Sequence, residues 1–163
     1  METKKLNLYI VDDNHLVVAD LRHYLGNRFG ADVEISTFDN GEDCLAVVDK
    51  DTHIVILDYY MEGKNGVEVL KSIKAINPET NVIMLSGNED MAVAVESFRA
   101  GAKDFVLKGI GARSKVTKLI YTILTEPLRI LTREFGISRY LSIFLLTFVT
   151  VGIVVACVYG LTR

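Results

Sequence analysis

Cysteine is scarce in this 163-residue chain, and tryptophan is absent altogether. The two cysteines, Cys44 and Cys157, fall in regions of opposite character, one acidic and one apolar. They have no reason to pair, so a disulfide framework is excluded and a reducing compartment fits. The opening METKKLNLYIVDDN has too short an apolar run before charges interrupt it to read as a secretory signal. No low-complexity segment occurs, and no internal repeat beyond an alternation of short apolar runs with helical patterns. Charge is missing from one long stretch. Tyr140 to Leu161 reads YLSIFLLTFVTVGIVVACVYGL, 22 residues without an acid or base, flanked by Arg139 and Arg163. At about 1.5 Å per helical residue this run matches the hydrocarbon core of a bilayer. A soluble helix normally turns one polar face to water. The expectation is a single membrane anchor.

Where charge is present, it is unevenly spread. Residues 1–108 hold 19 acids and 11 bases, and residues 109–163 hold two acids and seven bases. An acidic domain is therefore followed by a basic, apolar tail. Arg129, Arg133 and Arg139 precede the uncharged run and Arg163 alone follows it, which places the acidic domain on the cytoplasmic face of the membrane. The expected organisation is a domain over 1–125, a basic amphipathic connector over 126–138 and a transmembrane helix over 139–162, with Ser138 as its N-cap. The basic residues lie beside the membrane and read as lipid-facing or orienting charges, not as a nucleic-acid surface.

Within the acidic domain, LNLYIV (6–11), VEISTF (33–38), HIVIL (53–57), NVIML (81–85) and DFVL (104–107) read as strands. VADLRHYLG, GEDCLAVV, GVEVLKSIKAI and DMAVAVESFRAG between them carry apolar residues three and four apart, as amphipathic helices do. A fifth helix starts near Ala112 and should kink or end at Pro127. Near-continuous apolar strands alternating with helices predict a doubly wound α/β domain with a five-stranded parallel sheet.

The polar residues just after the strands then become informative. Asp12 and Asp13 follow the first strand, Asp58 the third, Ser86 the fourth and Lys108 the fifth. Ligands in open parallel sheets bind beyond the carboxyl ends of the strands. Three crowded carboxylates repel one another unless a cation joins them, and hard oxygen donors suit Mg²⁺. The hydroxyl and ammonium suit phosphoryl oxygens.

On LYIVDDN (8–14), VILDYYMEGKNG (55–66), VIMLSG (82–87) and GAKDFVLK (101–108), residues 6–124 resemble the receiver domain of two-component response regulators. The resemblance implies a flavodoxin-like sheet of order 2-1-3-4-5. It implies Asp58 as phosphoacceptor, with a histidine kinase or phosphotransfer protein as donor. Asp12, Asp13, Asp58 and the main-chain carbonyl of Tyr60 would hold Mg²⁺, with Asp13 the more direct of the first pair. Ser86 and Lys108 would hold phosphoryl oxygens, and Phe105 matches the switching aromatic. It implies a signalling phosphoacceptor rather than an enzyme. Two positions depart from the family. Gly109 replaces the usual proline after the lysine, so the peptide should be trans, and Glu62 should loosen the acceptor loop. A receiver-fold scaffold without phosphotransfer is the alternative. An acid phosphatase is disfavoured because position 60 is Tyr, not a second Asp. Gly152, Ala156 and Gly160 form a small-residue stripe suited to pairing two membrane helices into a homodimer.

Overall fold

The computed structural model describes residues 5–134 together with 147, 148, 150 and 151, with side chains given for 5–126 and those four. Five strands alternate with five helices: β1 (Leu6–Val11), α1 (His15–Phe29), β2 (Val33–Phe38), α2 (Gly41–Leu45), β3 (Thr52–Asp58), α3 (Gly66–Ile76), β4 (Asn81–Ser86), α4 (Met91–Arg99), β5 (Asp104–Leu107) and α5 (Ala112–Glu134). All strand pairs are parallel and the order is β2-β1-β3-β4-β5. The chain divides after Tyr121 into two compact units, the first of which contains the whole sheet.

Side chains of the sheet alternate between two faces, and helices cover both. Val55 and Leu57 of β3 pack with Val69, Leu70 and Ile73 of α3 and with Cys44 of α2. The intervening Ile54 and Ile56 point the other way and are also fully buried, as are Val116 and Ile120 of α5. Each fully buried aliphatic chain of this size contributes about 1.5–3 kcal/mol. Burial of Cys44 pushes its thiol up to about 12, so it serves as a small core hydrophobe and not as a nucleophile.

Helix starts follow their caps. Asn14 accepts from Leu16 N and Val17 N to open α1, and Asn65 with Glu68 forms a reciprocal capping box at α3. Helix α2 ends at Leu45, shorter than its apolar pattern suggested, because the chain turns through the half-exposed Val47 into an Asp49–Thr52 hydrogen-bonded turn. Pro127 does not end α5, which runs on to Glu134. A proline removes one backbone hydrogen bond, and here that loss does not stop the helix.

Among the described residues no helix is long and apolar enough to cross a membrane. The uncharged run over 140–161 lies almost wholly outside them, as do Ser138 and the stripe of Gly152, Ala156 and Gly160.

Candidate functional site

Strand register assembles the site. Val11 of β1 stands opposite Leu57 of β3, so the next residues, Asp12 and Asp58, emerge side by side. Asp58 in turn stands opposite Leu85 of β4, and Ser86 opposite Leu107 of β5, which delivers Lys108 one position further along. Lys108 is held by its own backbone, whose N–H donates to the Ser86 carbonyl at 2.7 Å. Its ammonium reaches across to lie 2.7 Å from Asp12 Oδ2 and 2.8 Å from Asp58 Oδ2.

Asp12 and Asp58 are buried, whereas Asp13 is exposed. One oxygen from each of the three lies within 4.8 Å of the others. Asp12 Oδ1 accepts from the Asn14 N–H at 3.0 Å. Two buried oxygens, Asp12 Oδ2 and Asp58 Oδ1, lack a hydrogen-bond partner of good geometry; the first keeps only its ion-pair contact with Lys108. Buried carboxylate oxygens with unused acceptor capacity, beside an exposed third carboxylate, fit a hard divalent cation such as Mg²⁺.

The electrostatics follow from burial. Removal from water pushes the Asp58 carboxyl above its ordinary range and the neighbouring Asp12 charge adds to this, while Lys108 and the Tyr60 amide pull against it. For Lys108 burial works to lower the ammonium, but hydrogen bonding and charge from Asp12 and Asp58 outweigh it and the net direction is upward. A raised carboxyl favours the fold below its unfolded pKa, and that contribution is lost as pH rises through the folded value. At neutral pH ionised Asp58 is therefore a cost to the fold. Asp58→Asn should raise the melting temperature by a few degrees at pH 7 without divalent cation, and the gain should shrink as pH falls into the carboxylate range. Mg²⁺ at tenfold its Kd should add about 1.4 kcal/mol to the parent and less to the variant. A calorimetric scan showing Asp58→Asn less stable at pH 7 than at pH 4, relative to the parent, would contradict this account.

Of the residues singled out from sequence, the structure brings Asp12, Asp13, Asp58 and Lys108 together. Ser86 is at the right strand end and fully buried, but its hydroxyl is engaged elsewhere, donating to the Asn88 carbonyl and accepting from the Asn88 N–H. Phe105 is half-buried against the core and lines a groove of about 550 Å³ with Met91 and Ile110. Tyr60 is half-exposed and meets Tyr59 edge-on at 4.6 Å. The Lys108–Gly109 peptide is trans, and Gly109 adopts φ of 133°, a conformation closed to proline. The departure from proline leaves the lysine at the carboxylates. Sequence reading overlooked Asn88, whose only signal is the polar run SGNED after β4. Gly66 matches the family's glycine after the acceptor loop and reads locally as a turn before α3, but its contact across the fold is visible only in the structure. The Gly66 N–H donates to the Tyr59 carbonyl at 2.9 Å, tying the start of α3 to the segment just after β3.

Comparison with known proteins agrees with this geometry. A sequence profile for the response regulator receiver domain matches residues 8–120. The chain is similar to the DNA-binding transcriptional regulator NtrC of Salmonella typhimurium, 33% identical over 102 residues, 62% of this chain and 21% of that protein. It is also similar to the transcriptional regulatory protein ResD of Bacillus subtilis, 29% identical over 119 residues, 72% of this chain and 48% of that protein. It thus spans about a fifth to a half of the length of these relatives. Among solved structures, the BeF₃-activated receiver domain of DrrB, a Thermotoga maritima protein, aligns with a TM-score of 0.66 and 27% identity, covering 74% of this chain and 98% of that one. The CheX–CheY–BeF₃–Mg²⁺ complex of Borrelia burgdorferi aligns with a TM-score of 0.64 and 25% identity, covering 73% and 89%. Sheet order, carboxylate cluster and profile agree: the chain belongs to the response regulator receiver domain family, whose members are phosphoacceptor signalling domains.

Proposed function

We propose that this chain is a membrane-tethered receiver that takes a phosphoryl group onto Asp58 from a histidine kinase or a phosphotransfer protein. The observation that carries the reading is the ammonium of Lys108 poised 2.7 and 2.8 Å from Asp12 and Asp58, with Asp13 completing the cluster. Asp58 supplies the nucleophile. Its oxygen attacks phosphorus, the phosphorus–nitrogen bond of the donor phosphohistidine breaks as the new phosphorus–oxygen bond forms, and the departing imidazole keeps the bonding pair and takes up a proton.

Asp12, Asp13, Asp58 and the main-chain carbonyl of Tyr60 would hold Mg²⁺, Asp13 more directly than Asp12. When bound, the ion supplies neutralisation of charge on the phosphoryl oxygens. Lys108 then exchanges a carboxylate for a phosphoryl oxygen. Ser86 exchanges Asn88 for another, which frees the loop after β4. Phe105, in the groove beside that loop, reports the change to the surface.

The uncharged run over 140–161 and the arginines preceding it support tethering, with the receiver on the cytoplasmic face. The stripe of Gly152, Ala156 and Gly160 supports pairing of two such helices. Incubation of the full chain with acetyl phosphate and Mg²⁺ should add the mass of one phosphoryl group. Flotation with lipid vesicles should resist alkaline carbonate. No mass gain would overturn the phosphoacceptor reading, and release by carbonate would overturn the tether.

A further inference from the structure

One strip of this acidic receiver is basic. The groove between α1 (15–29) and the first part of α5 (112–121) is lined by three bases, Arg28, Arg113 and Lys118, and by one acid, Asp20, whereas residues 1–121 as a whole hold fourteen bases and nineteen acids. The two helices border a groove of about 640 Å³ lined by Asp20, Tyr24, Arg28, Arg113, Lys118 and Tyr121. Both arginines are ordered by tyrosines. Arg28 Cζ lies 5.3 Å from the centre of the Tyr121 ring, and Arg113 Cζ lies 5.2 Å from that of Tyr24. Arg113 also pairs with Asp20 at 2.9 Å. A guanidinium laid on an aromatic ring, as that of Arg28 is, keeps its N–H fork available at little further entropic cost, and that fork matches a phosphate, whereas Arg113 spends part of its own on Asp20. Asp20, the sole acid, is already paired, so the groove stays positive.

We infer that this groove docks onto the phosphate headgroups of anionic phospholipids and seats the α1–α5 strip of the receiver on the bilayer. Charge complementarity is the first argument, because bases near an anionic leaflet are attracted individually. The half-exposed Tyr24 and Tyr121 are the second, since tyrosine favours the zone where an apolar body and a polar tip are both satisfied. The third is proximity. Tyr140, the start of the uncharged run, follows Tyr121 by 19 residues, so a lipid surface is held at high effective concentration. This step rests on the tether proposed above.

The test exploits the absence of tryptophan. Asn27→Trp in the full chain places a single reporter on the groove, where Asn27 is exposed. Vesicles of phosphatidylcholine, with or without phosphatidylglycerol, carry a lipid with a spin-labelled headgroup as quencher. Quenching should be several-fold stronger with phosphatidylglycerol, collapse in high salt, and collapse in Arg28→Glu/Lys118→Glu, whose labelling by acetyl phosphate should match the parent. Equal quenching in both vesicle types, or indifference to the charge reversal, would overturn the groove. Flotation separates the two readings. Binding only to phosphatidylglycerol vesicles, and only with Arg28 and Lys118 intact, would refute the tether and support the groove, whereas binding to neither vesicle would refute both. A reporter that responds to inorganic phosphate at matched ionic strength but not to vesicles, or to crosslinked copies in phosphatidylcholine alone, would also overturn it.

Discussion

Asp58→Asn should abolish phosphorylation by acetyl phosphate, with no phosphorylated species in the intact mass spectrum under conditions that label most of the parent chain. The asparagine amide keeps the shape of the carboxylate, so strand register and the contact with Lys108 can persist. What it lacks is a charged oxygen able to attack phosphorus. Neither neighbouring acid is placed to substitute. Asp12 is fully buried, with one oxygen taken by the Asn14 amide and the other facing Lys108. Asp13 is exposed to water and follows the edge of the cluster. Persistent full labelling of the variant, mapped by peptide digestion to another carboxylate, would show that the acceptor had been misassigned.

Gly66→Ala should be the most damaging single methyl in the domain. A Cβ at that position would lie 2.3 Å from the Asp58 carbonyl oxygen, 2.8 Å from Tyr59 Cα and 2.9 Å from Met84 Cε. Two of these three are backbone atoms, at the end of β3 and just after it, and cannot swing aside. The α3 start would have to retreat, breaking its 2.9 Å hydrogen bond to Tyr59 and disturbing the capping box of Asn65 and Glu68. The expected loss is about 3 kcal/mol, the upper end for overpacking, read as a lower urea midpoint at unchanged slope. Phosphorylation should slow as well, because the displaced residues include the acceptor's own carbonyl. Gly26→Ala is the matched control. Nothing lies within 4 Å of a Cβ there, in the interior of α1, so the same change should stabilise by about 0.5–1 kcal/mol. Equal effects at the two positions would remove the steric explanation.

The strands were legible because a doubly covered parallel sheet writes itself as short apolar runs: three of the five, 6–11, 33–38 and 104–107, match to the residue. The site was legible because its members follow strands, and strand ends in such a sheet converge. What could not be read were facts that depend on distance across the fold. The hydroxyl of Ser86 turns to the Asn88 backbone, a local closure that no spacing encodes. Gly66 looks like any glycine before a helix until the Asp58 carbonyl is found beneath it. Gly109 was recognisable as a departure, but only its φ of 133° explains how the lysine still arrives. The residual helix error is similar in kind. The apolar pattern of α2 continues beyond Leu45, yet the Asp49–Thr52 turn claims the chain first.

The ammonium of Lys108 between two carboxylates has a consequence for what the phosphorylated state can look like to a partner. Three carboxylates and one ammonium leave the cluster with a formal charge of −2. Phosphorylation at Asp58, as proposed, would turn its single negative charge into about two, since a phosphoryl group carries about −1.5 to −2. The net charge therefore changes by only about one, while three new acceptor oxygens appear and the lysine leaves one anchor for another. The signal is written mainly in geometry, as a relocation of donors, and only slightly in charge. Asp58→Glu lengthens the carboxylate without adding a charge or an oxygen, so it carries neither half of that message and is a poor imitation of the active state.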